Sequence, residues 1–231
     1  VAAGDVNGDG KVDLFFCGLD NPNRLYRNLG GWRFQEETKG SPALACEGWD
    51  CTGAALADLD GDADLDLLVN ALGRGTHLFL NDGKGLFTKK TDSGLTMSGG
   101  STSMALADID GDSDLDLYVT NFRPTTIRDK PSTRFTIGRL GDRVIVTHVD
   151  GRATTAANLT NRFVVSATGE VLEYGEVDRL YENDGTGRLT EISFTSGRFL
   201  DASGIPLKEP PRDWGLAVQL PLFFNRLAAG P

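Results

Sequence analysis

The 231-residue sequence is short of positive charge, cysteine and histidine. Lys and Arg number 23 against 33 Asp and Glu, for a formal net charge of −10. No basic stripe is visible, so nucleic acid is excluded as a partner. No apolar stretch approaches the ~20 residues of a membrane-spanning helix. No signal peptide is legible. The first residue is Val1, not Met, so we expect a fragment or processed piece, and the missing signal carries no weight. The common signatures of hydrolases, zinc peptidases and dinucleotide enzymes (GxSxG, HExxH, GxGxxG after a strand) are also missing. Of the three cysteines, Cys17 sits in an apolar run and reads as core. Cys46 and Cys51 bracket CEGWDC, a spacing open both to a small disulfide and to free thiols.

What the chain has is aspartate in a frame. DVNGDGKVDL (5–14), DLDGDADLDL (58–67) and DIDGDSDLDL (108–117) share Asp at the first, fifth and ninth positions, Asp or Asn at the third, Gly at the fourth and Leu at the tenth. These loops hold 13 of the 33 acids. Disordered acidic tracts keep no such frame and lack the apolar runs that follow here. Oxygen side chains at the first, third, fifth and ninth positions, with a carbonyl available at the seventh, suit a hard cation. Calcium takes about six to eight oxygens in a flexible geometry, whereas magnesium demands an octahedron and keeps its waters. Zinc prefers nitrogen and sulfur, and the loops contain neither His nor Cys. An EF-hand would need a bidentate Glu at the twelfth position and flanking helices. Phe16, Val69 and Val119 stand there instead.

The frame recurs after 53 and then 50 residues, which points to propeller blades or an array. In each unit a run of small residues (VAAG, AALA, MALA) precedes the loop and a β-rich apolar run follows it. A hairpin comes next: NRLYRNLGGWRF, THLFLNDGKGLF or DRLYENDGTGRLT. That gives about four strands per unit. Small residues suit a first strand crowded at a central axis, and the apolar second strand suits a place between two sheets. The ninth-position Asp precedes the hairpin Leu by 12 residues in units one and two, but by 64 in unit three. Unit three thus carries 52 extra residues over about 124–177, whose alternation predicts β-hairpins. The expected organisation is blade one at 1–50, blade two at 51–100 and blade three at 101–210 with its insertion. A fourth blade would begin at 213–231, where WGLAV (214–218) matches GAALA but LPLFFNRLAAGP supplies no acidic loop.

These loops and their LYxN-type hairpins resemble the FG-GAP/VCBS repeats of integrin-like β-propellers. The nearest type is the bacterial secreted proteins that often carry an ASPIC/UnbV domain. The resemblance implies an all-β fold, here a partial propeller of about three and a half blades in an open arc. It further implies outward-facing loops that hold calcium at about three sites, and a secreted or cell-surface location. The matching positions are Asp5, Asn7, Asp9, Lys11 (carbonyl) and Asp13; Asp58, Asp60, Asp62, Asp64 (carbonyl) and Asp66; and Asp108, Asp110, Asp112, Asp114 (carbonyl) and Asp116. The sixth position, usually Gly in the family, is Gly10 in the first loop but Ala63 and Ser113 in the others. If that position needs positive φ, those two loops carry strain.

Other polar residues read as structural. His77 falls in a hairpin strand. His148 lies beside Asp150, but no nucleophile accompanies them. Asn158-Leu159-Thr160 has the form of a glycosylation sequon, and Arg74-Gly75-Thr76 reads as a turn. Two functions from different classes follow. One is a calcium-stiffened module recognising an extracellular protein or glycan. The other is the propeller domain of a secreted carbohydrate-active lyase or hydrolase. The first is preferred because the loops already use the conspicuous acids. In either case the remaining blades of a longer protein would be partners.

Overall fold

A computed structural model of the chain describes residues 1–127, 129–156, 159–160 and 162–211. The WGLAV segment, the apolar tail and Asn158 of the sequon lie outside the described residues. The fold is all-β. Blade one is an antiparallel sheet of β1 (Ala2–Gly4), β2 (Asp13–Phe16), β3 (Arg24–Asn28) and β4 (Phe34–Glu36), in that order. Blade two repeats it with β5 (Cys51–Ala57), β6 (Asp66–Ala71), β7 (Gly75–Leu80) and β8 (Thr88–Lys89). Blade three begins with β9 (Ser101–Ala107) and β10 (Asp116–Asn121).

The chain then leaves blade three for the insertion. Strands β11 (Phe135–Leu140), β12 (Arg143–Val149) and β13 (Arg152–Ala153) form one small sheet, and β14 (Phe163–Val165) pairs with β15 (Val171–Glu173). Both are antiparallel, as the alternation predicted. The chain returns as β16 (Arg179–Asn183), paired with β10, and ends the blade with β17 (Leu189–Ile192). The insertion has its own core of Val146, Val149 and Leu159, with Phe135 and Phe163 edge to face at 5.2 Å. It is fastened where it leaves the blade. Arg123 Nε donates to the Tyr174 carbonyl at 2.6 Å, and the Asp178 carboxylate accepts from Asn121 N–H at 2.8 Å.

Blades stack face to face, and β6 shows why its sequence is apolar throughout. Every residue of this strand is buried. Leu67 and Val69 pack with Phe79 against Phe15 and Leu25 of blade one. Leu68 turns the other way and packs with Leu78 against Leu117, Val119 and Tyr181 of blade three. Each such side chain contributes about 1.5–3 kcal/mol on full burial. The inner strands carry Ala, Gly, Ser and Thr because β5 runs close beside both β1 and β9. Thr52 Oγ1, for example, donates to the Ser101 carbonyl at 2.5 Å.

The hairpin Asn joins the blades. Asn81 Nδ2 of blade two donates to the Val6 carbonyl in the loop of blade one at 2.8 Å. Asn183 Nδ2 of blade three repeats this with the Leu59 carbonyl of blade two at 2.9 Å. Fourth-position Gly8 and Gly61, with φ of 71° and 79°, lie under the next blade's hairpin, beside the Gly83 and Gly185 carbonyls. The same contacts bury the loop's second residue: Val6 is 4% exposed and Leu59 1%, whereas Ile109 of the third loop is 53% exposed. Among the described residues the three blades make an open arc without ring closure. Exposed apolar residues occur near the start, at Val1, Phe16 and Leu19.

Replacing Asn183 with Ala leaves the Leu59 carbonyl buried without its donor, a loss of about 1–3 kcal/mol. The expected result is a melting temperature lower by several degrees. Asn28→Ala is the control, because its amide bonds only groups of its own blade, the Val12 carbonyl and the Gly30 N–H. It should cost clearly less. Equal losses in a thermal melt would contradict an interblade role.

Candidate metal centres

Each acidic loop leaves an inner strand and returns as the second strand of the same blade, so its carboxylates are fixed at both ends. The first-position Asp organises the backbone. Asp58 accepts from Gly61 and Ala63 N–H at 2.8 and 3.0 Å, and Asp108 from Gly111 and Ser113 N–H at 2.7 and 3.2 Å. Asp5 accepts from Asn7, Asp9 and Gly10. These bonds need the sixth residue in the left-handed region. Gly10 has φ 79°, Ala63 72° and Ser113 82°, so the strain expected at the two non-glycine positions is present.

The ninth-position aspartates are buried: Asp13, Asp66 and Asp116 are 0%, 1% and 3% exposed. Both oxygens of each accept a backbone N–H. One donor is the loop's second residue: Val6 at 3.1 Å, Leu59 at 3.0 Å and Ile109 at 2.9 Å. The other is the hairpin Asn: Asn28 at 2.7 Å, Asn81 at 2.9 Å and Asn183 at 3.0 Å. The carboxylate therefore fixes where loop and hairpin meet.

The first, third and ninth side chains converge. Oxygens of Asp58, Asp60 and Asp66 lie within 4.8 Å of one another, as do those of Asp108, Asp110 and Asp116. In the first loop Asn7 takes the third position, between Asp5 and Asp13. The fifth-position Asp62 and Asp112 stand outside these groups, each accepting the N–H of the seventh residue. The seventh-position carboxylates of Asp64 and Asp114 pack against the hairpin turn, beside Gly83 and Gly185. At Asp9 the environment differs: Lys11 Nζ lies 3.1 Å and Arg27 3.9 Å from its carboxylate. Cations beside Asp9 offset charge that loops two and three leave uncompensated.

The electrostatics reflect that crowding. Burial, then the charges of Asp62, Asp60, Asp58 and Asp82, pushes Asp64 up to about 6. Burial also pushes Asp66 up to about 6, against the N–H bonds from Asn81 and Leu59. Asp60, Asp110 and Asp114 are raised, by burial first and then by neighbouring aspartates. At Asp5 burial is outweighed by the N–H bonds from Gly10, Asn7, Asp9 and Gly8, and the carboxyl is lowered. Asp60 Oδ1 and Asp64 Oδ1 are buried without a hydrogen-bond partner. Acceptor-only oxygens left in this state fit a cation. Asp82, which sequence reasoning read only as part of a turn, adds its charge to this cluster.

The other polar residues stand apart. His77 is buried on β7 and pushed down to about 4, by burial first. Its ring lies 4.4 Å from Trp49, which Arg74 and Lys89 also face. His148 is exposed beside Thr147, while Asp150 pairs with Lys130 and the Arg134 N–H.

Three antiparallel four-stranded blades, each with an acidic loop between its first two strands, define a repeat protein of the propeller type. The sequence model of the FG-GAP-like repeat matches residues 5–69 and 70–119 in succession, which supports an FG-GAP repeat family. No curated protein matches it.

Two predictions follow from this geometry. Ala63→Gly removes the strain of a left-handed alanine and should stabilise by about 0.5–1 kcal/mol; an unchanged or lower melting temperature counts against it. In metal-free buffer, Asp64 and Asp66 titrate near 6 when folded, above the ordinary aspartate value of about 4. Their contribution to stability is present below the unfolded value and is lost as pH rises through the folded one. The metal-free protein should therefore melt at a higher temperature at pH 5 than at pH 7. Asp64→Asn should flatten this trend.

Proposed function

We propose that the chain is a calcium-binding propeller module that recognises a protein or glycan outside the cell. The observation carrying the metal reading is the pair of aspartate groups, with the partnerless oxygens of Asp60 and Asp64 in the second loop. Asp58, Asp60, Asp62 and Asp66, with the Asp64 carbonyl, would hold the ion in loop two. Asp108, Asp110, Asp112 and Asp116, with the Asp114 carbonyl, would do so in loop three. Asp5, Asn7, Asp9 and Asp13, with the Lys11 carbonyl, offer one carboxylate fewer in loop one. Calcium accepts this many oxygens without the rigid octahedron that magnesium needs. The ion would neutralise carboxylates held between two strands, which makes its role structural. Recognition would fall to the loops and the insertion. The insertion has a cleft of about 480 Å³ that mixes Asp129, Asp150, Lys130, Arg152 and Arg162 with Thr126 and Thr133.

Calorimetry should show two tighter sites and one weaker. Asp60→Ala and Asp110→Ala should each remove a tight site, and Asn7→Ala the weak one. Each occupied site stabilises by about 2.7 kcal/mol at a hundredfold excess of calcium over Kd. At about 2–4 °C per kcal/mol for this chain length, chelation should lower the melting temperature by about 5–11 °C per site, with poor rescue by magnesium. A stoichiometry unaffected by all three substitutions would overturn the metal reading. Calcium-dependent binding to arrayed glycans or matrix proteins, lost when 124–177 is excised without loss of the melt, tests the recognition role. Binding to neither class would overturn it.

A further inference from the structure

Cys46 and Cys51 occupy the joint between blades one and two, away from the acidic loops. Their segment follows a short 3-10 helix (Pro42–Ala45) and leads into β5. It curls back on itself. Cys46 and Gly48 adopt left-handed φ of 45° and 72°, and the Trp49 N–H donates to the Cys46 carbonyl at 3.0 Å. This turn sets the Cys46 thiol beside the Cys51 sulfur. The Cys46 thiol itself donates to the Ala43 carbonyl at 3.6 Å. Asn23 Nδ2 donates to the same sulfur at 3.4 Å and to the Leu44 carbonyl at 3.0 Å. Both cysteines are buried in the core between the blades, directly beneath the exposed Glu47 and Gly48.

The two thiols are chemically unequal. The neighbouring Cys46 thiol, with help from Asn23 and against burial, lowers Cys51, while the same contact and burial raise Cys46. Cys17 is half-buried, and burial pushes its thiol up to about 11. Cys51 is thus the sulfur biased toward thiolate, and at 2% and 7% exposure Cys51 and Cys46 are open to an outside disulfide when the turn opens or during refolding.

We propose that Cys46 and Cys51 are an oxidation site and close an internal disulfide in an oxidising compartment, leaving Cys17 free. With a low-molecular-weight disulfide such as oxidised glutathione, the Cys51 thiolate attacks one sulfur and expels a thiolate. The Cys46 thiol then gives up its proton, attacks the Cys51 sulfur of the mixed disulfide and expels the second thiolate. Two protein thiols are oxidised and one reagent disulfide is reduced to two thiols, so electrons and protons balance.

The bond would lock a segment on which the interblade joint depends. The Ala45 carbonyl accepts from Asn23 N–H at 2.9 Å, and the Asp50 carbonyl accepts from Leu72 N–H at 2.9 Å. Ser41 Oγ accepts from Phe87 N–H at 2.7 Å. The inference does not rest on the calcium reading. Its test counts thiols and leaves ion binding aside.

The full chain is equilibrated with a mixture of oxidised and reduced glutathione, both folded and during refolding from urea, then alkylated under denaturing conditions. The expected result is one alkylated thiol at Cys17, with the tryptic peptide 40–74 lighter by two hydrogens and a melting temperature raised by several degrees. Cys17→Ser should still lose two thiols to the bridge. Cys46→Ser and Cys51→Ser should each form no internal bridge and show no rise in melting temperature with oxidant. Three alkylatable thiols in both arms, or a bridge that includes Cys17, would overturn the proposal.

Discussion

The buried carboxylate at the ninth position of each loop is the contact on which the blade depends. A carboxylate inside a protein is costly unless its oxygens are bonded. Asp13, Asp66 and Asp116 meet that demand in one way: one oxygen takes the N–H of the loop's second residue and the other takes the N–H of the hairpin Asn. The loop cannot move without the hairpin. The Asn held by that bond in blades two and three then passes its side-chain amide to the carbonyl of the preceding blade's second loop residue. A single buried charge thus links loop, hairpin and neighbouring blade.

The same arrangement forces acids together. With the ninth carboxylate fixed, the first and third positions must face it, and their charges fall within a few ångströms. The chain tolerates this in two ways. Loop one substitutes Asn7 for an acid and sets Lys11 and Arg27 beside Asp9. Loops two and three retain every acid, and there burial and mutual repulsion raise Asp60, Asp64, Asp110 and Asp114. Identical frames therefore do not give identical sites, because the surroundings of the fifth position differ.

The insertion enters between the second and third strands of blade three without disturbing their pairing, since β16 still lies against β10 as β7 lies against β6. Its ends are tied by Asp178 and Arg123 at the blade. Within it Arg162 bonds the Glu173 carboxylate, whose other oxygen takes the Ile127 N–H at 2.8 Å. A folded addition of this kind leaves the repeat intact and adds new surface on one side of the arc.

The sequence alone determined the blade count over the described residues, the four-strand unit, the β character of the insertion and the residues of the acidic loops. These follow from local rules: a fixed spacing, alternation along strands, and turn residues whose backbone preference travels with the residue. Even the left-handed sixth position was legible, because a glycine in one repeat exposes the demand placed on Ala63 and Ser113 in the others. What only the tertiary structure decided depends on residues distant in the chain. The reach of Asn183 to Leu59, the convergence of first, third and ninth side chains without the fifth, and the cations beside Asp9 leave no mark on local pattern. Nor does the meeting of the two thiols, which spacing left open between a bridge and free groups, because it depends on the curl of one turn and on Asn23, just before β3.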